Sequence, residues 1–296
     1  MEQARISFYD QIARNKRKSF FLMFCIFLVF LLLGYVISQV YSPGSFFVIM
    51  SFAIIISICY LMISYYNSDK IALASVSAKP ANRNQFRQYY DSVEGLTLAS
   101  GLPMPKLYVM QNEQINAFAS GRDPQHAVIC VTTGALEKLN KQELEGVLSH
   151  ELSHIANFDI RFMTLAAVMV GMIAIISEMF LRSLWFRGSS NDNNKGNAIF
   201  LLIGIVLAIL APIAVQLVQL AISRKREFSA DATAVQFTRS PTGLANALRK
   251  IKNDKPMKVN KAVASLFMSD PFRRKVESMM STHPPIDERI KILEKL

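Results

Sequence analysis

The chain has 296 residues, 51% of them hydrophobic, and carries 33 Lys and Arg against 22 Asp and Glu, a net charge of +11. Three cysteines exclude a disulfide-framed domain. The positive charge comes with no nucleic-acid recognition motif, so it argues for an anionic membrane surface and against a nucleic-acid partner.

Four runs, 20–40, 46–63, 162–185 and 198–222, reach the ~20 apolar residues that span a hydrocarbon core. The first is too long for a cleaved signal peptide and leads directly into the second, so it reads as an anchor that stays. The third carries Glu178 and Arg182 at i,i+4, and the fourth contains Pro212, which a spanning helix accommodates as a kink. The alternative for these two runs is a pair of buried helices in a soluble core. Arg14, Lys16, Arg17 and Lys18 precede the first run, and Arg224, Lys225 and Arg226 follow the fourth. The connections at 41–45 and 187–197 are nearly neutral, so both termini and 67–161 are predicted on the cytoplasmic side. The chain divides into a membrane hairpin (1–66), a cytosolic part (67–161), a second hairpin (162–222) and a cytosolic helical part (223–296).

Within the first cytosolic part, 67–100 reads as a polar amphipathic helix ended by Gly101, Pro103 and Pro105. "KLYVM" (106–110), "NAFAS" (116–120) and "HAVICVTT" (126–133) read as short strands of a small β-meander. Two helices follow, separated near Asn140, and the second has Leu144, Val147, Leu148 and Ile155 at helical spacing. Beyond the fourth run, 227–238 reads as a helix. Another starts with Ser240 as N-cap and Pro241 at its first position, and a last one follows Pro284 and Pro285.

The chain has four histidines, and two of them, His150 and His154, stand one helical turn apart in "HELSH". Zinc suits two imidazoles plus a carboxylate, with a position left for water. Glu151 lies about 100° around the helix, beside such an ion, where it can take a proton as water attacks a carbonyl. Five residues also arise by chance, and the alternative is an exposed helix with incidental histidines. Glu227 follows the fourth run immediately, as His154 shortly precedes the third. A hairpin of those runs would bring it to the histidines as third ligand. Asp231, four residues on, would accept a hydrogen bond from a ligating imidazole. The alternative is a solvated helix face with Glu227 paired to Arg224 or Lys225.

His283 stands before a double proline and is either structural or a donor to a reaction oxyanion. His126 reads as exposed and inert. Cys25 and Cys59 behave as small hydrophobes within the apolar runs, and Cys130 is either a strand residue or a nucleophile. Asn116, Ala117, Phe118 and Ala119 would form an edge strand that pairs with an extended peptide, or else an ordinary internal strand.

"NAFASG", "HELSH" followed by "IANFD", "SRKREFSAD" and "STHPPIDERI" occur in that order, interleaved with the four runs. Jointly they resemble the HtpX-type membrane zinc metalloproteases of bacteria, with the eukaryotic CAAX prenyl proteases as more distant relatives. The resemblance covers nearly the whole chain. It implies a mainly α membrane protein: four transmembrane helices and a cytosolic α+β metalloprotease domain built on the HExxH helix. It implies one Zn2+ per chain on His150, His154 and Glu227, with Glu151 as base. It also implies cleavage of polypeptides, membrane proteins among them, at the bacterial cytoplasmic membrane, often as quality control. Two other classes compete: a four-span transporter or sensor with a structural zinc, and an inert scaffold. The apolar runs hold few charges, which disfavours a transporter. Three ligands beside an idle glutamate disfavour a structural site.

Overall fold

The structure is a computed structural model that describes residues 8–41, 43–168, 224–257, 266–269 and 284–296. Most of the third apolar run, all of the fourth, the connection between them and His283 lie outside the described residues. The expected span count of four therefore rests here on the first two runs alone. These form α1 (Phe8–Tyr41) and α2 (Phe46–Ser75), which pack along each other. Among the described residues, α2 is the helix long and apolar enough to cross a membrane, with a mean hydropathy of 2.7. Phe20, Phe21, Phe24 and Leu28 of α1 and Phe47, Phe52, Ile55 and Ile63 of α2 are exposed. An apolar surface of that extent calls for a lipid or protein partner.

The single helix expected over 67–100 is two helices. Helix α2 leaves helical geometry at Asn67, resumes, and ends at Ser75. The chain then turns through Ser77 (φ 52°), forms the two-residue strand β1 (Lys79–Pro80), and enters α3 (Arg87–Ser100). Gly101, at φ 70°, closes α3 in the left-handed conformation that glycine adopts without steric cost.

Strands β2 (Lys106–Met110), β3 (Ala117–Gly121) and β4 (Ala127–Thr132) follow. The sheet order is β1-β2-β4-β3, so it is not the expected meander. Strand β4 runs parallel to β2 and antiparallel to β3. The 111–116 connection steps over one strand position, and β4 fills it. The physical reason lies in "AVICVT", an unbroken apolar run buried at all six positions, which suits a strand with a partner on each edge and a layer on each face.

Alternate residues serve the two layers. Ala127, Ile129 and Val131 join Leu107, Val109 and Ala119 in a core with Tyr89, Val93 and Leu96 of α3 and the apolar residues of α5 (Lys141–Ala156). Val128, Cys130, Phe118 and Met110 face the other way. They meet Leu22 and Ile26 of α1, Ala72 and Leu73 of α2, and Phe162 and Leu165 of α6, whose described part is 159–168. The sheet thus lies between α3 and α5 on one face and α1, α2 and α6 on the other.

Thr132 caps the short α4 (Thr133–Lys138). Asn140 and Glu143 form a reciprocal capping box that opens α5, which satisfies two otherwise orphaned backbone donors. Helices α7 (Arg224–Thr238), α8 (Thr242–Asn253) and α9 (Ile286–Leu293) complete the described structure. Helix α8 starts one residue later than the sequence suggests, with the Pro241 carbonyl accepting from Ala245 N at 3.0 Å. A Cβ on Gly146 would collide with the Leu244 backbone, so α5 and α8 pack closely only because that position is glycine. The described residues of 76–168 and 224–296 therefore pack as one body, with α5 at its centre.

Candidate active site

Helix α5 presents His150 and His154 from one face, their ring centroids 4.8 Å apart and their Nε2 atoms 3.2 Å apart. The first turn of α7 brings in Glu227, with Oε2 3.6 Å from His150 Nε2 and Oε1 3.7 Å from His154 Nε2. The three ligand atoms lie within 4.8 Å of one another, and all three side chains are buried. Residues separated by some 70 positions in sequence thus share one point in space.

Each imidazole is backed by a carboxylate. His150 Nδ1 lies 2.9 Å from Asp231 Oδ1, and His154 Nδ1 lies 3.1 Å from Asp159 Oδ2. Those partners assign the ring protons to Nδ1 and leave both Nε2 lone pairs pointing inward. Arg289 forks onto Asp231, with Nε at 2.8 Å and Nη2 at 2.6 Å, and its Nη1 stands 3.6 Å from Glu227. Arg226 Nε donates to Asp159 at 2.9 Å, and Asn15 Nδ2 donates to the same oxygen at 2.7 Å.

Two lone pairs and a carboxylate that converge in a dry interior repel unless a cation lies among them. The nitrogen–nitrogen–oxygen donor set fits zinc, and carboxylates behind both imidazoles are the usual support of metal-ligating histidine. The surrounding field agrees. Burial and Arg289 push the His150 pKa down, but hydrogen bonds to Asp231 and Glu227 carry it up to about 9. The pocket favours positive charge at this place.

Glu151 is the next residue on α5 and is buried, and its Oε1 has no hydrogen-bond partner among the described residues. Burial raises its pKa. His150 and His154 pull it down, Glu227 pushes it up, the Ala119 backbone pulls it down, and the net shift is upward. A carboxylate with raised proton affinity beside a metal site is equipped to accept a proton.

Strand β3 is an edge strand, and its Ala119 backbone faces Glu151. At its other end Ala117 O accepts from Met268 N at 2.9 Å, and Asn116 Nδ2 donates to Ser269 O at 3.3 Å. Phe118 points to the opposite face, against Phe267. Cys130 shares that opposite face, and burial pushes its thiol pKa well up, so it is placed as a core residue and not as a nucleophile. His126 is exposed and bonds Asp123 at 2.7 Å.

Asp159, Arg226, Arg289 and Asn15 join the site beyond the residues expected from sequence. Arg289 had a signal: Ile286, Ile290 and Leu293 form the apolar stripe of α9, and Arg289 sits inside it at i+3. Asn15 had one too, since it heads the series Asn15, Ser19, Leu22 and Ile26 on the buried side of α1. A polar residue at a core position of an apolar helix demands a partner.

The profile of peptidase family M48 matches residues 83–296. The "Protease HtpX homolog" of Caldanaerobacter subterraneus subsp. tengcongensis is 46% identical over 296 residues, 97% of each chain. That of Thermoanaerobacter pseudethanolicus is 44% identical over 301 residues, 99% of each chain. The crystal structure of S. mikatae Ste24p aligns with 96% of this chain and 66% of that one, at 20% identity and a TM-score of 0.46. The family match takes in α5, α6, α7 and α9, the elements that carry the histidine pair, its carboxylates and Arg289. The chain belongs to peptidase family M48 and is a metalloprotease.

Proposed function

We propose that the protein is a membrane-integrated zinc endopeptidase that holds one zinc ion on His150, His154 and Glu227. The convergence of those three side chains, each imidazole braced by its own carboxylate, carries this reading. Bound zinc would polarise the scissile carbonyl and acidify a water molecule. Glu151 takes the proton of the attacking water and passes it to the leaving amine. Asp231 and Asp159 keep the imidazoles in one tautomer throughout. Strand β3 borders Glu151 through Ala119 and offers a backbone edge against which an extended polypeptide can lie. The apolar face of α2 supports membrane insertion, and the cations at the base of α1 support a cytoplasmic active site. Substrates on that side include damaged or misassembled membrane proteins.

Metal analysis and casein cleavage by the detergent-purified chain test this reading. Wild type should hold one zinc per chain and lose activity to a chelator. His154→Ala and Glu227→Ala should lose the metal, whereas Glu151→Ala should keep it and cleave nothing. Full zinc occupancy in Glu227→Ala would refute the ligand set.

A further inference from the structure

We propose that Asn15, on the first apolar helix, is a positioning residue of the metal site, acting on His154 through Asp159. The inference rests on the zinc reading above. Asn15 lies outside the peptidase segment and far from it in sequence, yet its buried amide spends both donors and one acceptor position there. Nδ2 donates to Asn157 O at 3.0 Å and to Asp159 Oδ1 at 2.7 Å, while Oδ1 receives Arg226 Nη2 at 3.3 Å. Reversing the amide would set oxygen against two oxygens and nitrogen against a cation, so the partners fix its orientation.

The two acceptors flank Phe158, whose φ of 57° is a left-handed conformation that a bulky aromatic residue adopts only under constraint. The Asn15 fork grips both sides of this turn. From the next position of α1, Lys16 lies 4.8 Å above the Phe158 ring centroid. The turn in this form is what carries Asp159 back toward His154, its Oδ2 on the imidazole and its Oδ1 under Asn15 and Arg226. The base of the first apolar helix therefore helps to aim a metal ligand through one side chain, Asn15.

Zinc affinity, measured by competition with a chromophoric chelator on the full chain in detergent, tests this in a Glu151→Ala background that cannot cleave. Asn15→Ala should bind zinc about ten-fold more weakly, the lower part of the range for groups behind a ligating histidine. Asn15→Asp keeps the shape and the acceptor for Arg226 but removes both donors, and should lose at least as much. In an Asp159→Ala background the Asn15→Ala change should add nothing, because its route is already cut. Leu22→Ala removes an apolar contact from the same face of α1, leaves Asn15 in place, and should leave the zinc constant unchanged. Wild-type affinity in Asn15→Asp, or an equal loss in Leu22→Ala, overturns the proposal. Failure of wild type itself to bind zinc, or tight binding by Glu227→Ala, would instead indict the ligand assignment.

Discussion

His150 leans on Asp231 and Arg289, which come from α7 and α9 of the soluble part. His154 leans on Asp159 and Arg226, from the turn after α5 and the first turn of α7, with Asn15 of α1 as a third partner. Both flanks repeat the order imidazole, carboxylate, guanidinium, yet they solve the charge problem differently. On the soluble flank one arginine forks onto one carboxylate and meets Glu227 as well. Burial raises the Asp231 pKa, but Arg289 and His150 more than offset it and hold it at about 2. On the membrane flank the Asp159 charge is shared between a guanidinium and a neutral amide. The first arrangement depends on a single group, and the second has a reserve.

The largest effect should therefore follow the loss of Arg289. Arg289→Ala takes the guanidinium away from Asp231 and Glu227 in a dry interior, and breaking a buried pair in this way costs about 3–5 kcal/mol. Thermal unfolding in detergent measures it. Arg226→Ala should cost less, about 1.5–3 kcal/mol, because Asn15 still donates to Asp159. Equal losses in the two variants would break the contrast between a guanidinium that backs its carboxylate alone and one that shares it with an amide. A finer measure comes from the carboxylates. Asp231→Asn and Asp159→Asn each keep an oxygen for the imidazole while removing the charge behind it. Zinc affinity should fall about 10–100-fold in both, with the larger loss in Asp231→Asn, which also disengages Arg289. The opposite ranking would place the stronger hold on the metal at the membrane flank.

Much of this was legible in local sequence, and the part that was not has a common cause. The HELSH spacing put two imidazoles on one face, the break near Asn140 marked the start of α5, and Gly101 announced the end of α3. Each of these signals lies within one turn or one element. The central place of β4 was also written locally, in an apolar run without the alternation of a half-buried strand, but the habit of pairing successive strands hides it. Asn15 with Asp159, Arg226 with Asn15 and Arg289 with Asp231 are separated by 144, 211 and 58 residues. Pairings at that distance follow from how whole layers dock, and one sequence carries only the hint of a polar residue on an apolar stripe. Glu227 was within reach because the two apolar runs between it and His154 suggested a hairpin that would return the chain to its starting surface.

A third carboxylate shows what the dry interior contributes to the two flanks. Asp254, at the end of α8, accepts from Ile115 N at 2.7 Å and Lys255 N at 3.0 Å, and Lys138 Nζ lies 3.0 Å away. It ties α8 to the residue that precedes Asn116 and β3, but at the surface and through lysine. Burial raises its pKa, and the Ile115 amide, Lys138 and the Lys255 amide together more than offset it and bring it below the ordinary 3.8. The folded chain thus holds the ionised form more tightly than the unfolded chain does. The resulting stability is fully present above about pH 4 and fades as the pH falls through the lower, folded pKa. Because water and salt screen the pair, its contribution stays under about 1 kcal/mol. Metal-free wild type should unfold slightly later than Asp254→Asn at pH 6, and the gap should narrow by pH 3. A gap that persists unchanged at pH 3 would mean that Asp254 acts through the shape of its hydrogen bonds, as Asn15 does, rather than through the charge that sets the two arginine-backed carboxylates apart.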